Sequence, residues 1–266
     1  MHPNASPTPS PLAGGAGIVG AIPARYGASR LPGKPLLPIN GRPMIEHVYT
    51  RVARARGLAR VVVLTDDERI ARAVEAFGGE WEMTPADCAS GTDRIAWAAR
   101  SWDVSAVINI QGDEPLIDPE AVSLIADHLA AHPDDPMVTL ATPAAPEELE
   151  NPNAVKVALA RDGSALYFSR SLIPYPRNEG GAAPLKHLGI YGYRKEALLL
   201  LAGLPTTPLE RSESLEQLRA LEYGMRIRVL IVDKGSIGVD TAEDLERVER
   251  LLRPGPPKPP SGFTGF

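Results

Sequence analysis

Short apolar runs alternate with segments of helical periodicity along the first half of the chain. Three β-branched runs bounded by turn or cap residues predict strands at 18–22, 61–65 and 106–111. Each run is almost continuously apolar, which is typical of strands buried on both faces. Strands of this kind separated by helices predict a parallel sheet with helices on both sides.

Helices are predicted in the intervals between and after these strands. Proline at a first helical position and small polar residues before it mark where helices begin, and glycines mark where they end. The predicted helices begin at Pro43 with an apolar face of Met44, Ile45, Val48 and Val52, run from 68 to 77 before Gly78-Gly79, and run from the Asp118-Pro119 pair to about 131.

The second half of the chain has a different pattern. Predicted strands at 155–159, 165–168 and 188–193 lie too close together for full strand–helix–strand units, so they predict a smaller antiparallel lobe at about 150–225. A helix over 209–223, a last strand over 227–232 and a last helix capped by Thr241 complete the pattern. We expect one α/β domain over 18–252 that carries this lobe, not two independent domains.

Composition excludes several classes of protein. The chain has 266 residues, 44% hydrophobic and 23% charged, as in globular proteins. Its net charge of −5 argues against nonspecific nucleic-acid binding. No apolar run approaches the ~18 residues that a membrane span needs, and residues 1–17 do not read as a signal peptide. We expect a soluble cytoplasmic protein without membrane insertion, with disordered tails at 1–17 and 253–266.

The lone cysteine, Cys88, fits a reducing compartment and excludes an internal disulfide. We interpret it as a small packing residue and not as a nucleophile, because no histidine motif is paired with it.

A stiff cationic loop follows the first predicted strand. The segment IPARYGASRLPGKPL places Arg25, Arg30 and Lys34 within ten residues, among glycines and prolines. Ligands of open parallel sheets bind outside the carboxyl ends of the strands, and glycines allow close approach to a polyanion. The loop therefore predicts a phosphate site, although each basic residue taken alone would fit a solvated turn. Neither a Walker loop nor a dinucleotide fingerprint is present.

Two aspartates are predicted at the same edge of the sheet. Asp113 follows the strand in INIQGDEPLI, and Asp240 lies in IGVDTAEDL directly before a helix. Carboxylates beside a polyphosphate site suit a shared Mg²⁺ ion. Helix capping is the alternative role for Asp240.

Several motifs in chain order resemble the 3-deoxy-manno-octulosonate cytidylyltransferase family, also called CMP-Kdo synthetases. The resemblance runs from about residue 18 to 252 and rests on IPARYGASRLPGKPL, SGTDR, NIQGDEPLI, NPNAVKV, ALYFSR, KHLGIYGYR, LEQLRALEYG and GVDTAEDLERV. It implies a glycosyltransferase-A-like nucleotidyltransferase fold, a mostly parallel sheet flanked by helices with a smaller antiparallel lobe. It also implies that the chain couples CTP to Kdo, releasing pyrophosphate and giving CMP-Kdo for lipopolysaccharide biosynthesis, and that it forms a homodimer.

The resemblance also implies roles for individual residues. Those expected at the nucleotide are Arg25, Arg30, Lys34, Ser90, Gly91, Thr92 and Gln111. Those expected at the sugar acid are Arg170, His187, Tyr193, Glu216 and Gln217. Asp113 and Asp240 are expected to hold Mg²⁺, and these two with Arg25 and Lys34 are expected to carry catalysis. Arg170 suits the sugar carboxylate because its guanidinium is a planar fork.

Three other functions are considered. The sugar acid could be amino-Kdo or sialic-acid-like, because the same phosphate and metal residues would serve. A nucleotide-binding protein without turnover is disfavoured by the presence of Lys34, Asp113 and Asp240 together. An NAD-dependent dehydrogenase is disfavoured by the lack of the glycine fingerprint.

Overall fold

The computed structural model describes residues 17–27, 31–178 and 180–253. The strands in this part of the chain are β1 (Gly17–Ala24), β2 (Pro38–Ile39), β3 (Arg42–Pro43), β4 (Arg60–Thr65), β5 (Trp81–Met83), β6 (Val104–Asn109), β7 (Met137–Pro143), β8 (Lys156–Leu159), β9 (Ala165–Ser169), β10 (Leu185–Arg194) and β11 (Ile227–Ile231). The α-helices are α1 (Met44–Val52), α2 (Glu68–Ala76), α3 (Gly91–Ala99), α4 (Pro119–Ala131), α5 (Lys195–Gly203), α6 (Pro208–Glu213), α7 (Gln217–Glu222) and α8 (Ala242–Leu252).

The main sheet has the strand order β11-β7-β10-β6-β1-β4-β5. Pairing is parallel along β6-β1-β4-β5 and between β7 and β11, whereas β10 is antiparallel to both of its neighbours. All strands of this path except β10 therefore point the same way, and their carboxyl ends share one edge. The mostly parallel α/β fold predicted from the sequence is confirmed.

Helices cover both faces of the sheet because alternate residues of each strand point to opposite sides. On one face Val19 and Ala21 pack in a cluster with Ile95 of α3 and Leu198 of α5. The other cluster joins strand residues to α1, α2 and α4. Gly192 of β10 allows α4 to come close, because a Cβ at this position would lie 2.5 Å from the side chain of Ile125.

The predicted lobe is continuous with the main sheet. The β8–β9 hairpin is antiparallel, and β8 pairs with the first residues of β10, which then runs into the middle of the main sheet. The helix predicted over 209–223 is two helices, α6 and α7, separated at Ser214. Ser214 has φ 51° and ψ 49°, a left-handed conformation that no helix interior accommodates.

Six of the strands and α-helices in the described part of the chain were not predicted from the sequence: β2, β3, β5, β7, α3 and α5. The predicted tails were 1–17 and 253–266. Residues 1–16 and 254–266 lie outside the described residues, whereas Gly17 begins β1 and Arg253 is the C-cap of α8. Among the described residues, no helix is both long enough and apolar enough to cross a membrane.

Candidate active site

The loop after β1 is closed at its base. The amide of Gly33 donates to the carbonyl of Tyr26 at 2.9 Å, and the Arg69 guanidinium lies 3.3 Å from the centre of the Tyr26 ring. Gly33 has φ +68°, and a Cβ here would lie 3.0 Å from that ring, so the turn requires glycine. The base of the loop directs Lys34 toward the edge of the sheet. Arg30, predicted at the phosphates, lies outside the described residues.

Lys34 meets both predicted metal ligands. Its Nζ lies 2.7 Å from Oδ2 of Asp113 and 3.2 Å from Oδ1 of Asp240. The Lys34 side chain is 13% exposed, whereas those of Asp113 and Asp240 are 39% and 61% exposed. The structure thus joins three residues that are up to 206 positions apart in the sequence, with the charges open to solvent on one side.

Asp240 does not cap α8. That role belongs to Thr241, whose hydroxyl accepts from the amide of Asp244 at 3.2 Å, while the Asp244 carboxylate accepts from the amides of Asp240 and Thr241. The amide of Val239 donates to the carbonyl of Asp113 at 2.9 Å, so the two aspartate loops are fixed to each other. Capping by Thr241 leaves the Asp240 carboxylate to contact Lys34.

Lys34, Asp113 and Asp240 line a cavity of about 450 Å³, a volume within the usual range of ligand sites. Its other walls come from the loop after β1, the start of α3 and the loop after β6. The residues are Pro23, Ala24, Arg25, Leu31, Lys34, Pro35, Cys88, Ala89, Ser90, Gly91, Arg94, Gln111, Gly112, Asp113 and Asp240. Seven of the residues predicted for nucleotide binding, catalysis or the metal therefore line the cavity: Arg25, Lys34, Ser90, Gly91, Gln111, Asp113 and Asp240.

The segment Ser90-Gly91-Thr92 begins a helix and is not a loop. Ser90 is the N-cap of α3, and its hydroxyl accepts from the amide of Asp93 at 3.1 Å. Helix N-termini carry partial positive charge, so the Ser90 end of α3 adds to the cationic character of the cavity. Thr92 lies one residue further on, is buried, and hydrogen-bonds with Tyr193, so it does not line the cavity.

Arg94 is a cavity residue that the sequence reasoning did not single out, although it ends the SGTDR motif. It is 3% exposed, lies 3.3 Å from Oδ2 of Asp66, and also donates to the Thr84 hydroxyl. Its position in α3, three residues after Gly91, is the signal that could have found it. Cys88 lines the same wall, and burial raises the pKa of its thiol, which does not suit a nucleophile.

The donor set at this edge fits Mg²⁺. Within 17–27, 31–178 and 180–253, no group of three or more His, Cys, Asp or Glu side chains is arranged so that it could hold a metal ion by itself. Mg²⁺ is usually held by one or two carboxylates together with substrate phosphates and water. Asp113 and Asp240 supply two carboxylates beside a cavity with cationic walls, so the residues present match that pattern.

Glu114, next to Asp113, has an unusual environment. Burial raises its pKa to about 7, with a further rise from the Asp113 charge, while the Ser236 hydroxyl donates to it and opposes the shift. The carboxyl group therefore changes charge near neutral pH.

The predicted sugar residues on β10 belong to an aromatic row. The centroid of the His187 ring lies 5.0 Å from that of Phe168 and 5.2 Å from that of Tyr191. The Tyr191 ring stacks on Tyr193 with a centroid distance of 5.9 Å. Burial lowers the pKa of His187 to about 3, so this ring is neutral. It also raises the pKa of Tyr193 well above 10, so the hydroxyl stays protonated.

The hydrogen bonds of Thr139 assign the tautomer of His187. The Thr139 hydroxyl donates to the carbonyl of Ile190 at 2.7 Å and so accepts from Nε2 of His187 at 3.0 Å. Nδ1 then carries a lone pair and accepts hydrogen bonds. His187 is therefore suited to a sugar hydroxyl and not to a carboxylate.

Glu216 and Gln217 lie at the start of α7, on the same side of the molecule as this row. The Glu216 charge contributes, after burial, to raising the pKa of Tyr191 and Tyr193. Gln217 is 6% exposed, so it is not the solvated helix residue that its sequence context would suggest.

Arg170 does not present a free fork. Its Nε, Nη1 and Nη2 donate to the carbonyls of Glu213 (2.6 Å), Pro152 (2.9 Å) and Ser214 (3.3 Å). These contacts use three of the five guanidinium N–H donors, so the predicted contact with a sugar carboxylate would have to use the remaining N–H of Nη1 and that of Nη2. In this structure Arg170 joins parts of the lobe to each other.

A mostly parallel sheet with a cationic loop, a helix N-terminus and two aspartates at its carboxyl edge defines a nucleotide-processing α/β enzyme. The cytidylyltransferase family model matches residues 19–227, and the chain belongs to this family. It is thus a nucleotidyltransferase.

Relatives and solved structures agree with that assignment. The chain is 52% identical over 246 residues to the 3-deoxy-manno-octulosonate cytidylyltransferase of Syntrophotalea carbinolica, covering 89% of this chain and 98% of the relative. It is 51% identical over 237 residues to the 8-amino-3,8-dideoxy-manno-octulosonate cytidylyltransferase of Shewanella amazonensis, covering 87% and 97%. A CMP:2-keto-3-deoxy-manno-octonic acid synthetase complexed with CTP superimposes with a TM-score of 0.86 at 47% identity, covering 89% of this chain and 98% of that structure.

Proposed function

We propose that this chain transfers CMP from CTP to the anomeric hydroxyl of Kdo, giving CMP-Kdo and pyrophosphate. The observation that carries the proposal is the meeting of Lys34, Asp113 and Asp240 at a cavity of about 450 Å³. The relative at 52% identity is named for this reaction, and the solved relative at 47% identity is described as complexed with CTP. Positive charge and carboxylates side by side suit a triphosphate that binds with a metal ion.

The reaction needs no covalent enzyme intermediate. The sugar hydroxyl attacks the α-phosphorus in line, an oxygen–phosphorus bond forms, the bond to the β-phosphate breaks, and the hydroxyl proton is lost. Lys34 would stabilise charge that grows on the α-phosphoryl group, and Arg25, with Arg30, would hold the outer phosphates. The Ser90 end of α3 and Gln111 would face the nucleoside. Catalysis then consists of positioning and charge stabilisation.

Asp113 and Asp240 would hold Mg²⁺, which supplies Lewis-acid charge neutralisation at the phosphates when bound. Lys34 lies between the two carboxylates, and its ammonium group balances their charge. We expect this lysine to turn toward the phosphates when the nucleotide binds.

A second substrate, the 8-amino sugar acid, is favoured by a specific observation. Relatives named for it match this chain at 51% identity, almost the same as relatives named for Kdo. Pyrophosphate release should be measured with CTP and UTP against Kdo, its 8-amino analogue and N-acetylneuraminate. We expect the highest kcat/KM for CTP with Kdo. A higher value with the 8-amino sugar would reassign the substrate, and no release with any pair would overturn the proposal.

We further propose that the product serves lipopolysaccharide biosynthesis, that the reaction takes place in the cytoplasm where CTP is present, and that the enzyme is a homodimer. The dimer is expected from the family resemblance. Light scattering at micromolar concentration should give twice the chain mass of 28.4 kDa. A single-chain mass would exclude it.

A further inference from the structure

Asp240 reaches the cavity along an irregular connection. This connection, residues 232–241, lies between the end of β11 and the start of α8 and is neither helix nor strand. β11 is the edge strand of the main sheet, and β7 and β10 separate it from β6, which leads to Asp113. Since neighbouring strands lie ~4.8 Å apart, the connection must cross roughly 14 Å of the sheet edge to bring Asp240 to Asp113. Contacts along the way must therefore fix its path.

The first contacts of the connection continue β7 and then cross β10. The amide of Val232 donates to the carbonyl of Ala141, in β7, at 2.9 Å. At Gly235 the backbone passes over β10, because a Cβ at this position would lie 2.7 Å from Cδ2 of Leu188. The connection thus lies directly against the sheet, and no side chain would fit at Gly235 without moving it.

The next contact is a side-chain hydrogen bond to the loop after β6. The hydroxyl of Ser236 donates to Oε2 of Glu114, which lies 122 positions away in the chain. A little further on, the amide of Val239 donates to the carbonyl of Asp113 at 2.9 Å. The connection is therefore bonded to two successive residues of the loop after β6 immediately before it reaches Asp240.

The backbone of Glu114 is itself fixed. Its amide donates to the carbonyl of Gln111 at 3.3 Å, and its carbonyl accepts from the amide of Ile117 at 2.9 Å. Glu114 is partly buried, so loss of the Ser236 hydroxyl would remove a hydrogen bond where water is restricted. Of the two adjacent carboxylates, Asp113 lines the cavity, whereas Glu114 binds the connection that carries the other predicted metal ligand.

We propose that Glu114 and Ser236 are positioning residues, because their hydrogen bond holds the connection where it brings Asp240 opposite Asp113. This inference rests on the proposed function, in which Asp113 and Asp240 hold Mg²⁺ together with the nucleotide. The Val239 bond fixes the backbone beside Asp240, and the Glu114–Ser236 bond fixes the direction from which the chain arrives. Loss of the second bond should loosen the Asp240 carboxylate without displacing it, so that more Mg²⁺ is needed.

The experiment compares Glu114→Ala, Ser236→Ala and the double variant with Glu114→Gln. Each alanine removes one side of the hydrogen bond, whereas the glutamine amide oxygen still accepts from Ser236. Turnover with CTP and Kdo should be measured over a range of Mg²⁺ concentrations. We expect each alanine variant to need about tenfold more Mg²⁺ for half-maximal turnover, the usual scale for residues that orient metal ligands, with kcat at saturating Mg²⁺ within about twofold of wild type.

Two comparisons separate positioning from general damage. The double variant should be no worse than either single variant, because the bond is already broken in each, and Glu114→Gln should need as much Mg²⁺ as wild type. Ser101→Ala is the control, because it removes a hydroxyl that donates to the carbonyl of Ala98 at 2.9 Å, at the end of α3 away from the cavity. Losses that multiply in the double variant, or an Mg²⁺ requirement raised as much in Glu114→Gln as in Glu114→Ala, would overturn the proposal.

Two further measurements need no turnover. CTP binding by calorimetry should weaken in both alanine variants when Mg²⁺ is present and stay unchanged in EDTA, so an equal loss under both conditions would reject the positioning role. Hydrogen exchange over 236–241 without ligand should be faster in both alanine variants than in wild type, with 119–131 as the reference, and unchanged exchange would also reject it. Wild-type CTP binding that does not depend on Mg²⁺ would instead count against the proposed metal site, and the exchange result alone would then decide whether the two residues hold the connection.

Discussion

The nucleotide side and the sugar side of this site are built differently. On the nucleotide side, short loops after parallel strands carry Lys34 and Asp113 directly to one edge of the sheet. On the sugar side, the antiparallel strand β10 and a broken helix carry the candidate residues. There the irregular segments are joined by hydrogen bonds to backbone carbonyls from the buried Lys156 and the half-buried Arg170.

This difference separates two ways of making a site. Parallel strands bring distant loops together because of the fold itself, so the residues at the loop tips are free to contact ligand. An irregular turn such as the one at Ser214 needs dedicated side chains to hold it. The account therefore predicts that variants on the two sides have separable effects on CTP and on the sugar acid.

The largest effect is expected for Lys34→Ala. Turnover should fall by about 10²-fold or more, the usual scale for one preorganised group at the reacting centre. Pyrophosphate release at saturating CTP and Kdo measures it, and circular dichroism checks that the fold is intact. Lys234→Ala, an exposed lysine after β11, is the control. Wild-type turnover in Lys34→Ala would remove this lysine from the mechanism.

A smaller effect, on the sugar side alone, is expected for His187→Phe. The ring contacts with Phe168 and Tyr191 are kept, but the Nδ1 acceptor is lost, so KM for Kdo should rise about tenfold while CTP binding stays unchanged. His132→Phe, on an exposed histidine at the end of α4, is the control. A loss of CTP affinity in His187→Phe would mean that the two sides are not separable.

The pH dependence of stability gives an independent check on His187. Its pKa is lowered from 6.5 to about 3 in the folded protein, so the unfolded chain binds the extra proton first. The lowered pKa of His187 therefore contributes fully to the free energy of unfolding above about pH 6.5, and this contribution is lost as the pH falls toward 3. The unfolding free energy of His187→Phe should therefore decrease less steeply over that range. An unchanged slope would mean that His187 titrates normally.

Glu114→Gln tests the environment of the buried carboxyl group next to Asp113. The Glu114 pKa is raised from 4.5 to about 7, so the folded state favours the protonated form and stability decreases as the pH rises through this interval. Glutamine stays neutral, so the variant should be more stable than wild type at about pH 8, by an amount on the order of 1–3 kcal/mol. Denaturant unfolding without ligand at about pH 4 and pH 8 measures it. An equal difference at both pH values would exclude titration as the cause.

The smallest effect is expected for Ser90→Ala. Loss of the N-cap should lower the unfolding free energy by about 1 kcal/mol and raise KM for CTP a few-fold, with KM for Kdo unchanged. Asp118→Ala removes the cap of α4, away from the cavity, and is the matched control for stability. An equal rise of KM for CTP in both variants would show that the effect is general destabilisation.

Sequence reasoning succeeded where chemistry follows a regular element. The positions of Lys34, Asp113 and Asp240 could be predicted because each follows or precedes an element with a clear apolar pattern. The start of α8 was also predictable, since Thr241 and Asp244 have the spacing of a capping box.

It failed where long-range contacts override a local pattern. One helix was predicted over 209–223, but Ser214 has positive φ, and its carbonyl accepts from Arg170, 44 residues earlier in the chain. Arg170 was assigned to the sugar acid because it lies in a motif that resembles the family's sugar site and its residue type suits a carboxylate. Sequence alone does not show that three of its N–H donors bind backbone carbonyls. Lys156 was missed for the same reason, because a lysine in a strand gives no sign that it is fully buried.

The most direct test of the central claim concerns Asp113 and Asp240, which contact the same lysine. Turnover should be measured for Asp113→Asn, Asp240→Asn and the double variant over a range of Mg²⁺ concentrations, with Asp103→Asn as the control at the opposite end of β6. If the two carboxylates act as one unit, each single variant should lose about 10²-fold or more, and the double variant should be within about threefold of the weaker single variant. Losses that multiply, or full activity of either single variant at limiting Mg²⁺, would contradict the account.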